Sequence, residues 1–147
     1  MKRDFEILPH TADIKIRVYG KTKKDLFRNA VAGMFQAIRP IVSECDEVDD
    51  RIVCPELPEH HQIETEASDE KSLLVDFLSD ALYLSDVYNE AYFDATIDEL
   101  SERHIKATVH GVQVTGFEVV EIKAVTYHEL DIKQVDDCWQ ADIVFDI

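Results

Sequence analysis

Ala141, Ile143, Phe145 and Ile147 are apolar at every second position, with Asp142 and Asp146 between them, and the pattern runs through the final residue. Period-two spacing marks a strand with one buried face. Chain ends are commonly loose; a chain that finishes inside a half-buried strand is expected to have its end held in the fold. Asp146 then brings a carboxylate, and Ile147 the terminal carboxylate, to the edge of the molecule. In His10-Thr11-Ala12-Asp13 another carboxylate sits in the short link before the alternating run Ile14-Lys15-Ile16-Arg17-Val18-Tyr19-Gly20. If the two ends meet, Asp13, Asp146 and Ile147 form a cluster of hard oxygen donors. Such a cluster suits a divalent cation such as Ca²⁺, Mg²⁺ or Mn²⁺.

The 147 residues are enough for one domain with a substantial core, burying roughly 70% of the extended chain's surface. With 46% hydrophobic and 31% charged residues the composition is that of a globular domain. No apolar run is long enough to span a bilayer. Met1-Lys2-Arg3-Asp4-Phe5 offers no apolar signal-peptide segment, so no membrane association is expected. Cys45, Cys54 and Cys138 are an odd number without Cys-x-x-Cys spacing. They predict no disulfide framework and no structural zinc, hence a reducing compartment, cytoplasmic or nuclear, with the cytoplasm as the expected location. The net charge of −16 repels a phosphate backbone. Tight, direct nucleic-acid binding normally draws on Lys and Arg, and is not expected here. An acidic body fits docking on a basic protein surface, or serves solubility alone.

Along the chain, Phe5-Glu6-Ile7-Leu8 reads as a strand ended by Pro9, and residues 14–20 as a second. Thr22 is an N-cap candidate for a helix carrying Leu26, Phe27, Ala30, Val31, Met34, Phe35 and Ile38, stopped by Pro40. Residues 41–67 read as a variable insert: an acidic loop over Cys45–Asp50, then Arg51–Cys54 and Gln62–Glu66 pairing around Pro55 and Pro58. A second helix starts at Ser68 or Asp69 with the stripe Leu73, Leu74, Phe77, Leu78, Ala81, Leu82 and Leu84. After Asp86 the period changes to two: Phe93, Ala95 and Ile97; Ile105, Ala107 and Val109; Val120, Ile122, Ala124 and Thr126; Leu130 and Ile132; and the terminal strand from Trp139. Gly111 and Gly116 punctuate these runs. The predicted fold is α+β, one domain over 1–147. It is a two-layer sandwich: a mixed, mostly antiparallel sheet of seven to nine strands with two long helices on one face.

No glycine lies in a phosphate loop or dinucleotide fingerprint, and Gly-x-Ser-x-Gly and His-Glu-x-x-His are missing. His60-His61 falls in an acidic loop without a third soft ligand. Each remaining candidate has a plain alternative. Asp13 forms a turn or holds a metal. Asp146 is an exposed strand end or a ligand. Lys123, opposite the Ile122/Ala124 face, is an ordinary strand lysine or the cation that steadies the carboxylates. His10 and His128 flank strands as hydrogen-bonded end residues or as bases. Asp76 and Asp80 share a helix face and repel unless something basic docks there.

Four strings in order carry a resemblance: His10-Thr11-Ala12-Asp13-Ile14, Leu73-Leu74-Val75-Asp76-Phe77-Leu78-Ser79, Lys123-Ala124-Val125-Thr126-Tyr127-His128 and Val144-Phe145-Asp146-Ile147. Together they make the chain, from Phe5 to Ile147, similar to the archease family. The resemblance implies a non-catalytic accessory protein of the RtcB-type RNA ligase, which joins tRNA exon halves using GTP and Mn²⁺ through a guanylylated histidine of its own. Archeases promote that guanylylation and multiple turnover and widen nucleotide choice. By this resemblance Asp13, Asp146 and Ile147 hold the divalent cation, Ca²⁺ foremost and Mn²⁺ or Mg²⁺ as alternatives. Lys123 and His10 serve the partner, and GTP is met only through the ligase. The other readings are a stand-alone metal-dependent phosphoesterase or nuclease, and a general chaperone of RNA-processing proteins.

Overall fold

The computed structural model describes residues 4–8, 13–117, 122–127 and 130–147. The first strand, β1 (Phe5–Leu8), pairs antiparallel with β2 (Ile14–Gly20), with Phe5 opposite Val18. Helix α1 (Lys23–Ala37) starts where the Thr22 hydroxyl accepts the Asp25 N–H at 3.1 Å. This satisfies one of the amide donors orphaned at a helix start. It ends before Arg39, which takes a left-handed φ of 48° and leads into Pro40. A short strand, β3 (Pro40–Ile41), then precedes the hairpin of β4 (Asp46–Val48) and β5 (Arg51–Val53).

That hairpin overturns two expectations. Residues 45–50 are not a loop, and the 51–53 strand pairs backward with β4 rather than forward with the 62–66 segment. The connecting Asp49 and Asp50 both have positive φ, 50° and 64°. A two-residue hairpin turn of this kind demands left-handed backbone at both positions, usually supplied by Asn-Gly; aspartate tolerates it. The turn also sets Cys45 opposite Cys54, one step beyond the pair Asp46–Val53. The two are disulfide-bonded, with Cα atoms 4.3 Å apart, and Cys138 remains a free thiol. The expectation of no disulfide is thereby corrected, and the cysteines no longer argue for a reducing compartment.

β6 (Glu59–Glu66) pairs with β8 (His104–Gln113) over its whole length, so the later part of the 41–67 segment is woven into a sheet. His60 and His61 lie on this strand rather than in a loop. Helix α2 (Glu70–Tyr88) is capped by Asp69, whose carboxylate accepts the Ser72 N–H at 2.8 Å. It closes on Asn89, left-handed at φ 55°; Asn is a residue that visits this region readily. β7 (Glu90–Leu100) then pairs with β8, bulging between Tyr92 and Asp94. Gly111, expected to mark a break, lies inside β8, because a Cβ there would come within 1.9 Å of the Ala91 carbonyl oxygen.

The remaining strands are β9 (Gly116–Phe117), β10 (Ala124–Thr126), β11 (Ile132–Val135) and β12 (Cys138–Asp146). Twelve strands are assigned among the described residues, the excess over the expected seven to nine being short ribbons. The architecture is α+β with two helices, and the pairings among the described residues are antiparallel. The strands divide into a five-stranded sheet, β1-β2-β12-β10 with β11 also on β12, a three-stranded sheet, β6-β8-β7, and two short ribbons. The helices join the two larger sheets: α1 packs on β2, β1 and β7, and α2 on β6, β7, β8 and β10. Aromatic pairs join α1 to α2 and to β7. Phe27 meets Phe77 at 6.1 Å between centroids, and Phe35 meets Tyr92 edge-on at 5.4 Å. No helix among the described residues is long and apolar enough to cross a membrane.

Candidate functional site

The last strand is not at an edge. β12 lies between β2 and β10, and its C-terminal end carries the site. Phe145 is fully buried opposite Ile14, and also pairs with Val125. One residue beyond the Phe145–Ile14 pair stand Asp146 on one strand and Asp13 immediately before the other. Opposite residues of antiparallel strands share a face and are close neighbours. On the other side Ala124 pairs with Asp146, and the Lys123 N–H donates to the Asp146 carbonyl at 2.7 Å. Asp146 is exposed, Asp13 is half-buried, and Ile147 packs partly on the core. The topology therefore brings Asp13, Lys123, Asp146 and Ile147 to one end of one sheet. His10, the remaining candidate, and His128 lie outside the described residues.

The donors at this end are oxygens: carboxylates of Asp13 and Asp146 and the main-chain oxygens of Ile147. That set fits a hard cation and does not fit a thiophilic one. It does not close a coordination shell. Among the described residues no three His, Cys, Asp or Glu side chains are grouped to hold a metal ion. A hard cation seated here would take further oxygens from water or from another molecule.

Lys123 differs from the expected picture. Its strand was expected to bury Ile122 and Ala124 on one face and expose Lys123 and Val125 on the other. Instead Ile122 and Val125 are each 7% exposed, whereas Lys123 and Ala124 face solvent. The strand begins only at Ala124, so the alternation slips between 122 and 124. As a result Lys123 lines a cleft of about 560 Å³ with Ser79, Leu82, Tyr83 and Asp86 of α2 and with Phe117. Sequence reasoning assigned the Leu82 stripe wholly to the core and missed the cleft, whose walls come from separate segments of the chain.

A second polar group was also missed. Glu90 is 2% exposed, and its carboxylate accepts the Tyr92 hydroxyl at 2.8 Å, meets His61 Nε2 at 2.7 Å and accepts Gln113 Nε2 at 3.3 Å. The His61 ring stacks on Tyr88 at 4.3 Å. Burial, then the hydrogen bond to Glu90, pushes the Tyr92 phenol far above its usual range, so it stays a donor. The hydrogen bond between the Glu59 and Glu90 carboxyls raises Glu59. A buried carboxylate with several donors is a satisfied structural anchor, here tying the end of α2 to both flanking strands.

The model of the archease protein family matches residues 5–147. The chain belongs to the archease family. A protein archease of Methanosarcina acetivorans is 38% identical over 153 aligned residues, covering 99% of this chain and 97% of that protein. One from Methanosarcina barkeri is 33% identical with the same coverage. The solution structure of protein 1598 of Methanobacterium thermoautotrophicum superposes with a TM-score of 0.71 at 26% identity, covering 98% of this chain and 99% of that one. A crystal structure from Thermotoga maritima, described as an archease, possible chaperone, superposes with a TM-score of 0.61 at 22% identity and covers 97% and 96%. The last comparison speaks to the archease fold alone.

Proposed function

We propose that the chain is a non-catalytic activator of an RtcB-type tRNA-splicing RNA ligase. In this reading it promotes guanylylation of the ligase and multiple turnover and broadens its use of nucleoside triphosphates. The supporting observation is the position of β12 between β2 and β10, which gathers Asp13, Asp146, Ile147 and Lys123 at one end of the sheet. Asp13, Asp146 and Ile147 would hold a divalent cation, Ca²⁺ first, with Mn²⁺ or Mg²⁺ as alternatives. When bound, such an ion neutralises phosphate oxygens. The open coordination positions are then completed by the partner. The bond from the Lys123 amide to the Asp146 carbonyl holds the strand end in place, which fixes the direction in which Asp146 presents its carboxylate. Lys123 supplies positive charge next to this end. His10 is assigned to the partner on the strength of the His10–Asp13 string. The chain works without tight RNA binding of its own, since its surface is acidic.

The test is ligase guanylylation and ligation with RNA in excess, using Asp13→Ala and Asp146→Ala. Both should reduce the stimulation at least about tenfold, a loss of about 1.4 kcal/mol of coupling, without lowering the melting temperature. Undiminished stimulation by folded variants would sink the metal role and favour a general chaperone. Phosphoester turnover by the purified chain alone would favour a stand-alone hydrolase.

A further inference from the structure

The cleft beside Lys123 has features that the metal end does not require. Ser79, Leu82, Tyr83 and Asp86 fall three and four residues apart on α2 and so form one stripe. Among the described residues it is left open as one wall of the cleft. The floor is apolar: Ile38, Ile122 and Val125 are 3%, 7% and 7% exposed, and Leu82 and Phe117 are partly buried against the core. At the rim Tyr83 is 68% exposed. Tyr is enriched among the residues that dominate interfaces, with an apolar ring and a polar tip suited to a surface that is covered on docking.

The α2 wall of the rim is negative. Asp86 lies in the last turns of α2, which carries no basic residue in its final turn. The helix's C-terminal carbonyls add a partial negative charge there. Lys123 on the opposite wall is the cationic side chain of this lining. The whole chain has 31 acidic against 15 basic residues. Asp86, the end of α2 and the acidic body attract Lys or Arg of an approaching molecule and disfavour a nucleic acid.

We infer that this cleft is a docking groove for a basic polypeptide segment of the partner ligase. Leu82, Tyr83 and Phe117 receive its apolar side chain, and Asp86 with the end of α2 receives its cation. This rests on the partner named above. Continuity with the metal end supports it: Lys123 lines the groove, and its amide is bonded to Asp146. A segment seated in the groove therefore lies beside the end of β12.

Titration calorimetry with purified ligase tests the inference, using Tyr83→Ala, Asp86→Lys and the control Glu102→Lys. All these positions are exposed, so the variants keep the wild-type melting temperature. Glu102 sits in the turn between β7 and β8, at the opposite end of that hairpin from Asn89, and matches Asp86→Lys in charge change. Tyr83→Ala and Asp86→Lys should each weaken association about tenfold or more, and Glu102→Lys less than about twofold, since a remote rim charge is screened. Saturating amounts of either groove variant should restore full stimulation, whereas saturating Asp146→Ala should not. Groove variants that bind like wild type, or no worse than Glu102→Lys, overturn the inference and leave the activator role standing. A wild-type chain that neither binds nor stimulates the ligase overturns both.

Discussion

Asp76 shows how much a single side chain depends on what folds over it. It sits four residues from Asp80 in α2, and the spacing alone predicts repulsion. Burial first, then the charges of Asp80 and Asp69, raises its carboxyl above the usual range. Asp80 meanwhile accepts the Thr65 hydroxyl at 2.6 Å, a bond that sequence spacing does not reveal. A raised carboxyl contributes stability below its unfolded value, about 3.9, and loses it as pH rises through the folded value. At neutral pH the charged Asp76 is therefore a net cost. Asp76→Asn should raise the melting temperature at pH 7, and the gain should shrink to nothing as the pH falls below the unfolded value; an equal gain at both ends of the range would contradict the sign. At this scale Asp13 and Asp146 were each legible as a carboxylate at the end of an alternating run, over 14–18 and 141–145; that the two ends meet was only an expectation until β2 and β12 were seen to pair. The His61–Glu90 contact was not, since the partners are 29 positions apart in sequence, across the rest of β6 and all of α2, and no periodicity links them.

Among elements, both helices were legible to within a few residues, because cap and stripe are local signals: Thr22 and Asp69 accept the amides that the sequence pattern anticipates. Strand partners are a different matter. The β4–β5 hairpin turns on Asp49-Asp50, and the β11–β12 hairpin on Asp136-Asp137, with φ of 50° and 65° at the latter pair. Neither carries the glycine that usually marks such a turn, so nothing local announced them. The Cys45–Cys54 bond follows from the first. Denatured, unreduced protein should show one reactive thiol, Cys138, rising to three after reduction; three from the outset would contradict the pairing. Closing so short a loop stabilises by about 2–3 kcal/mol. Replacing both cysteines with serine should lower the unfolding free energy by no more than that. Gln36 also holds the hairpin, donating to the Ile52 carbonyl and accepting its N–H, each at 2.8 Å.

For the molecule as a whole, charge is the property that composition states most directly. At −16 the body is drawn to basic surfaces over a distance set by ionic strength. Going from about 0.01 M to about 1 M salt shortens that reach from about 30 Å to about 3 Å. Association with the proposed partner ligase should therefore weaken steeply with salt, mainly through a slower on-rate; a salt-independent association rate would remove electrostatic steering from the account. The same acidity would let the chain compete with RNA for a basic groove and speed product release. Composition, helix stripes and strand alternation are local or additive properties, and they sufficed for the α+β class, the two helices and an aspartate at the end of each of two strands. Sheet order is neither local nor additive. That β12 runs between β2 and β10, that the strands part into two larger sheets bridged by helices, and that Lys123 opens onto α2 rather than continuing a regular face were decided by packing. Each depends on which apolar faces could be buried together, and a one-residue slip at 122–124 is enough to reverse what a strand presents to solvent.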